Sequence, residues 1–245
     1  MAGKKWRREV SADPRSFRRG PGTKSPRRAI LIVTEGSVTE PTYFKALRRK
    51  LSLPTVEVAI LPMGSGDPQR LVDYALGEAE KRRSTSKAGK LSNAKAAKFD
   101  DVWIVFDTDI PVQHGRYSAG LAFAEVNGVQ VAPSTPCFEY WLLLHKAYTT
   151  APMPKCEHVI PKLTAALGQK YSKDAEESKK VIPPLLEALD LARANALKVR
   201  KHHAEAGTVA PANPSTEVDR LIDLLDPPPH PSKMKKRPTR KKPTS

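Results

Sequence analysis

The sequence predicts an α/β fold, a mostly parallel sheet flanked by helices and followed by a helical C-terminal part. Two apolar runs, 29–34 and 101–106, have the length and β-branched content of buried strands. Strand-like and helix-like segments alternate up to about residue 146, the pattern of a parallel sheet with crossover helices. Beyond that point only helical patterns follow.

The elements follow in order. Ala29-Ile30-Leu31-Ile32-Val33-Thr34 is the first strand. A helix is expected near 39–51, with Pro41 in its first turn and Phe44, Leu47 and Leu51 on one face. Val56, Val58 and Ile60 alternate, which predicts a strand over 55–61. A loop at 62–67 leads to a helix at about 68–83, and the small, polar and basic residues 84–98 read as an exposed connection. The strand 101–106 is followed by a short helix near 117–125 and a strand at 128–132. Pro133-Ser134-Thr135-Pro136 is expected to break the chain before a helix from Phe138 to about Lys146. Helices are expected over 158–168, 183–203 and 214–225, the last with Asn213 as cap and Pro214 opening it.

The net charge of +16 is concentrated at the ends. Residues 1–28 hold ten Lys/Arg against Glu9 and Asp13, and 227–245 hold seven Lys/Arg and no acid. The remaining 25 basic and 24 acidic residues leave the body nearly neutral. The chain therefore divides into a basic tail (1–28), an α/β domain (29–150), a helical region (151–226) and a second basic tail (227–245). Tails of this composition are expected to be disordered and to bind phosphate backbones without reading sequence. The candidate contacts are Lys4, Lys5, Arg7, Arg8, Arg18, Arg19, Arg27, Arg28, Lys235, Lys236 and Arg237. The bland reading of the same charge is solubility.

No apolar stretch reaches the length of a membrane span, and the basic N-terminus lacks the apolar run of a secretory signal. Cys137 and Cys156 are not at zinc-ligand spacing and are too few for a disulfide framework, so a reducing cytoplasm is the expected compartment. Gly64-Ser65-Gly66 has phosphate-cradling potential but lacks the Gly-Lys-Ser/Thr of a P-loop, so no ATPase of its own is expected.

The chemistry lies at two strand ends. The first strand runs into Glu35-Gly36 and the third into Asp107-Thr108-Asp109. Ligands in open parallel sheets bind past the carboxyl ends of the strands. Each motif alone is as readily a turn. Together they place three carboxylates near one point, where repulsion calls for a cation, Mg²⁺ or Mn²⁺. His145 lies six residues after Glu139, about 240° around a helix, and shares a stripe with Phe138 and Trp141. It reads as a buried structural histidine, and Cys137 as a small buried residue.

This pattern resembles the Toprim domain, a family of Mg²⁺-dependent domains in topoisomerases, primases and several nucleases. Its Glu-Gly and Asp-x-Asp are matched here by Glu35, Asp107 and Asp109. A narrower resemblance covers about 29–225. Thr34-Glu35-Gly36-Ser37-Val38-Thr39-Glu40-Pro41-Thr42-Tyr43-Phe44 and Val105-Phe106-Asp107-Thr108-Asp109 resemble blocks of RloB-like proteins. So do Pro136-Cys137-Phe138-Glu139-Tyr140-Trp141-Leu142-Leu143-Leu144-His145 and Asn213-Pro214-Ser215-Thr216-Glu217-Val218.

The resemblance implies a Toprim-like, Mg²⁺-dependent nuclease of bacterial anti-phage defence loci, typically encoded near an ABC-type ATPase or restriction genes; control by such an ATPase partner is the further expectation. It adds Glu40 and Glu139 to Glu35, Asp107 and Asp109 as expected metal ligands; Glu35, Asp107 and Asp109 are the expected catalytic residues. The rival class is a non-catalytic nucleic-acid-binding or sensing subunit of a defence complex. DNA and RNA both remain open as substrate, as does a homo-oligomer.

Overall fold

The computed structural model describes residues 28–60, 67–87, 98–109 and 115–228. Five strands form one sheet in the order β2-β1-β3-β4-β5. They are β1 (Ile30–Thr34), β2 (Val56–Ile60), β3 (Asp101–Asp107), β4 (Gln130–Thr135) and β5 (Ser215–Thr216). The first four run parallel, and β5 pairs antiparallel with β4. The helices are α1 (Thr39–Lys50), α2 (Pro68–Lys87), α3 (Tyr117–Val126), α4 (Glu139–Leu144), α5 (Cys156–Leu167), α6 (Ala175–Leu185), α7 (Leu189–Glu205) and α8 (Val218–Leu225).

The strands are apolar on both faces because helices cover both. Ile30, Ile32, Trp103 and Val105 point into one core with Phe44 and Leu47 of α1, Trp141 of α4 and the C-terminal helices. Leu31, Val33, Ile104 and Phe106 point the other way, onto Leu71, Val72 and Ala75 of α2 and Ala124 of α3. This is the two-residue period of a strand read out by two separate cores. The chain leaves β1 toward β2 on one side and reaches β3 on the other, so the strand order reverses between β1 and β3. Such a reversal opens a crevice at the carboxyl ends of the two strands.

Three sequence expectations need correction. The Pro133-Ser134-Thr135 stretch does not break the chain: β4 continues through it to Thr135. Pro133 lacks an N–H, but its carbonyl still accepts from Glu217 N–H. The helix expected at 214–225 begins only at Val218, because Ser215–Thr216 pair with Thr135 and Ser134 as β5. Asn213 does not cap it; its amide clamps Met153 instead, accepting from Met153 N–H at 2.8 Å and donating to Met153 O at 3.0 Å. The single helix expected over 183–203 is two helices, α6 and α7, separated by a 3₁₀ turn at Leu186–Ala188. Pro183 and Pro184 close the last turn of α6.

Cys137 and Cys156 are joined in a disulfide, with Cα atoms 5.5 Å apart. The sequence alone predicts two cysteines too few for a disulfide framework, with Cys137 a small buried residue; the fold joins the two. The fold brings the turn before α4 against the start of α5, a proximity that a separation of 19 residues does not announce.

Candidate metal centre

Four carboxylates reach the crevice, each carried by a different element. Glu35 directly follows β1, and its N–H donates to Val105 O at 3.0 Å, continuing the β1–β3 ladder for one more residue. Its Oε2 accepts from Asp107 N–H at 3.3 Å. Asp107 ends β3, and its Oδ1 accepts from the Phe138 N–H at 2.9 Å, which ties the strand end to the entry of α4. Glu40 lies in the first turn of α1, where the helix dipole favours an anion. Its carboxyl group folds back over Gly36 so closely that a Cβ there would occupy the same space. Glycine after β1 is therefore required for close approach to the Glu40 side chain.

Glu139 opens α4 and is 1% exposed. Its Oε1 accepts from the hydroxyls of Thr39 (3.2 Å) and Tyr171 (3.3 Å). Its Oε2 lies 2.9 Å from Lys173 Nζ and 3.2 Å from Cys156 Sγ.

These groups feel one another. Burial, then the charges of Glu40 and Glu139, push the Asp107 carboxyl well above the usual carboxylate range, while Lys173 opposes the rise. Burial and then Glu139 push Glu40 up to about 7. Burial pulls the Lys173 ammonium down, but Glu139 and Asp107 outweigh it, so its pKa is raised. The Lys173 ammonium thus acts on three carboxyl groups, Glu139, Asp107 and Glu40. Asp109, half-buried, comes two residues after Asp107 at the end of a described segment.

A hard divalent cation fits this donor set, since every candidate ligand is a carboxylate oxygen and the carboxyl groups of Asp107 and Glu40 are buried beside one another and Glu139. Glu35, Glu40, Asp107 and Glu139 are the residues of the crevice that would hold it; Asp109 stands two residues further along the chain from Asp107. Among the described residues, no three carboxylates alone have ligand atoms all within 4.8 Å of one another; the trio that meets this distance is Cys137, Glu139 and Cys156. Mutual repulsion is reason enough for carboxylates to stand apart.

Sequence reasoning missed Lys173, Tyr171 and Thr39. Lys173 and Tyr171 sit in the polar connection between α5 and α6, where no periodicity or motif marks them. Thr39 was within a matched block, but only the tertiary contact with Glu139 reveals its use. His145 is fully buried and linked to its surroundings. Its Nδ1 is 3.0 Å from Trp141 O, which requires an Nδ1–H donor, and its Nε2 then accepts from the Tyr43 hydroxyl at 3.2 Å. Arg28 pairs with Asp101 at 2.8 Å. The other tail cations and Gly64-Ser65-Gly66 lie outside the described residues. Among the described residues no helix is long and apolar enough to cross a membrane.

The family model described as RloB-like protein matches residues 30–225. No curated protein and no solved structure matches the chain.

Proposed function

The chain belongs to the RloB-like family, and from that premise we propose that it is a metal-dependent nuclease hydrolysing phosphodiesters of DNA or RNA. Family membership is consistent with a defence-associated protein. The observation that carries the reading is the convergence of Glu35, Glu40, Asp107 and Glu139 on the crevice between β1 and β3. Bound Mg²⁺ or Mn²⁺ would polarise a phosphoryl oxygen and lower the pKa of a bound water. Asp107, Asp109 and Glu139 would hold the ion, and Glu35 would serve as a further ligand or as general base or acid. Thr39 and Tyr171 hold the Glu139 carboxylate in one orientation. Lys173 brings positive charge to the cluster, and the basic tails would supply further attraction for a polyanion.

An ATPase partner is the proposed control, because no P-loop is present in the sequence and a free nuclease would endanger its own cell. The test is incubation of the purified protein with labelled DNA and total RNA, in Mg²⁺ and in Mn²⁺, with and without the ATPase encoded nearby and ATP. Metal-dependent cleavage in any arm, lost in Asp107→Asn, is the expected result. Binding without cleavage in every arm would replace this reading by that of a sensing subunit.

A further inference from the structure

Two sulfurs lie beside this carboxylate cluster, and they suggest a second kind of site. Cys137 is fully buried, Cys156 half-buried, and Cys156 Sγ stands 3.2 Å from Glu139 Oε2. Ligand atoms from Cys137, Glu139 and Cys156 all lie within 4.8 Å of one another. We propose that these three residues form a redox-gated site for a thiophilic divalent ion, Zn²⁺ by its chemistry, which exists only when the disulfide is reduced.

The geometry suits it. On a tetrahedral zinc with Zn–S about 2.3 Å and Zn–O about 2.0 Å, two sulfurs stand about 3.8 Å apart and a sulfur and an oxygen about 3.5 Å apart. The observed sulfur–oxygen distance of 3.2 Å is already close to this. Reduction frees the sulfurs to separate by side-chain rotation, with the Cα atoms remaining 5.5 Å apart. Thr39 and Tyr171 donate to Oε1 of Glu139, leaving Oε2 to face the sulfurs. Such partners orient a ligand in the way hydrogen bonds outside a coordination shell commonly do. Lys173 Nζ shares Oε2 and would be displaced by the ion; its side chain is 43% exposed and has solvent to move into. Three protein ligands leave the fourth position to water.

The chemistry balances. A dithiol reductant gives two electrons and two protons to the disulfide, becoming a disulfide itself and leaving two thiols. Each thiol then loses its proton as its sulfur bonds the ion, so two protons are released per ion. Glu139 would be drawn away from the carboxylate cluster. The inference rests on the sulfur geometry and does not need the cluster to be a nuclease centre.

Cobalt(II) is the probe, because thiolate ligation gives it a charge-transfer absorption in the near ultraviolet. The full chain is reduced with a phosphine, which ends as phosphine oxide with water supplying the oxygen and the protons. The oxidised chain is titrated in parallel. The expected result is one equivalent of cobalt with the thiolate band in the reduced protein only, bleached by one equivalent of Zn²⁺. Cys156→Ser and Cys137→Ser should each lose the two-sulfur band, and Glu139→Gln should bind cobalt at least about 10-fold more weakly. Iodoacetamide alkylation of the half-buried Cys156 in reduced wild-type protein gives the same readout should a serine variant fail to fold. A band in the oxidised chain, no band in the reduced chain, or unchanged affinity in Glu139→Gln overturns the site. A protein that cleaves nothing yet shows the band keeps this site and loses only the nuclease reading.

Discussion

Lys173 Nζ lies 2.9 Å from Glu139 Oε2, a half-exposed ammonium set against a carboxylate that is 1% exposed. It is the positive charge that acts on both Asp107 and Glu40. Lys173→Ala therefore leaves the cluster with no counter-charge from this side chain. Metal-free protein should lose about 1–3 kcal/mol, since Glu139 stays buried without its cationic partner. Saturating Mg²⁺ should recover most of the loss. Urea denaturation with and without Mg²⁺ measures both; equal losses in the two conditions would detach Lys173 from the cluster.

Asp107→Asn keeps an oxygen acceptor for the Phe138 N–H and removes only the charge. The expected outcome is a folded protein whose metal-free melting temperature is equal or higher, because one of the repelling groups has gone. Metal affinity should fall by at least about 10- to 100-fold and cleavage with it. Calorimetric metal titration beside a nuclease assay decides the matter, and full cleavage by the folded variant would refute the assigned role.

Gly36→Ala tests the close approach of the Glu40 carboxyl. The added methyl would occupy the space of that group, so Glu40 must turn away. We expect Mg²⁺ affinity to drop about 10-fold. Unchanged affinity would show that Glu40 is not needed in that position.

His145 gives the chain a pH dependence of defined sign. Burial lowers its pKa from 6.5 to about 4. Folding thus favours the neutral ring. Its contribution is present in full above pH 6.5 and is lost as pH falls through about 4. Across that window it amounts to about 3 kcal/mol. An NMR titration of the His145 ring should show a midpoint near pH 4; a midpoint at the ordinary histidine value would contradict the buried, neutral assignment.

Deleting 1–24 and 230–245 removes eight and seven Lys/Arg and none of the candidate metal ligands. Nucleic-acid affinity should fall and the log–log salt slope become shallower. Filter binding across a salt series measures the slope, and an unchanged one would place the contact elsewhere.

The sequence by itself determined the fold class, the two central strands and the residues at their ends. These are local properties: an unbroken apolar run marks a strand buried on both faces, and Glu35 and Asp107 are adjacent in sequence to the runs that carry them. Glu40 and Glu139 were legible only through resemblance, because a carboxylate in a helix first turn is ordinary in isolation. Only the tertiary structure decided the rest. Ser215–Thr216 became a strand because β4 offered a free edge, and Asn213 became a clamp because Met153 lay beside it. Lys173 met Glu139 34 residues away, and Cys137 met Cys156 across two elements. Each of these is a contact between segments whose own patterns are unremarkable. What brings them together is burial of the α1, α4, α5 and α6 faces in one core, a cooperative property of the packed chain that no short window of residues contains.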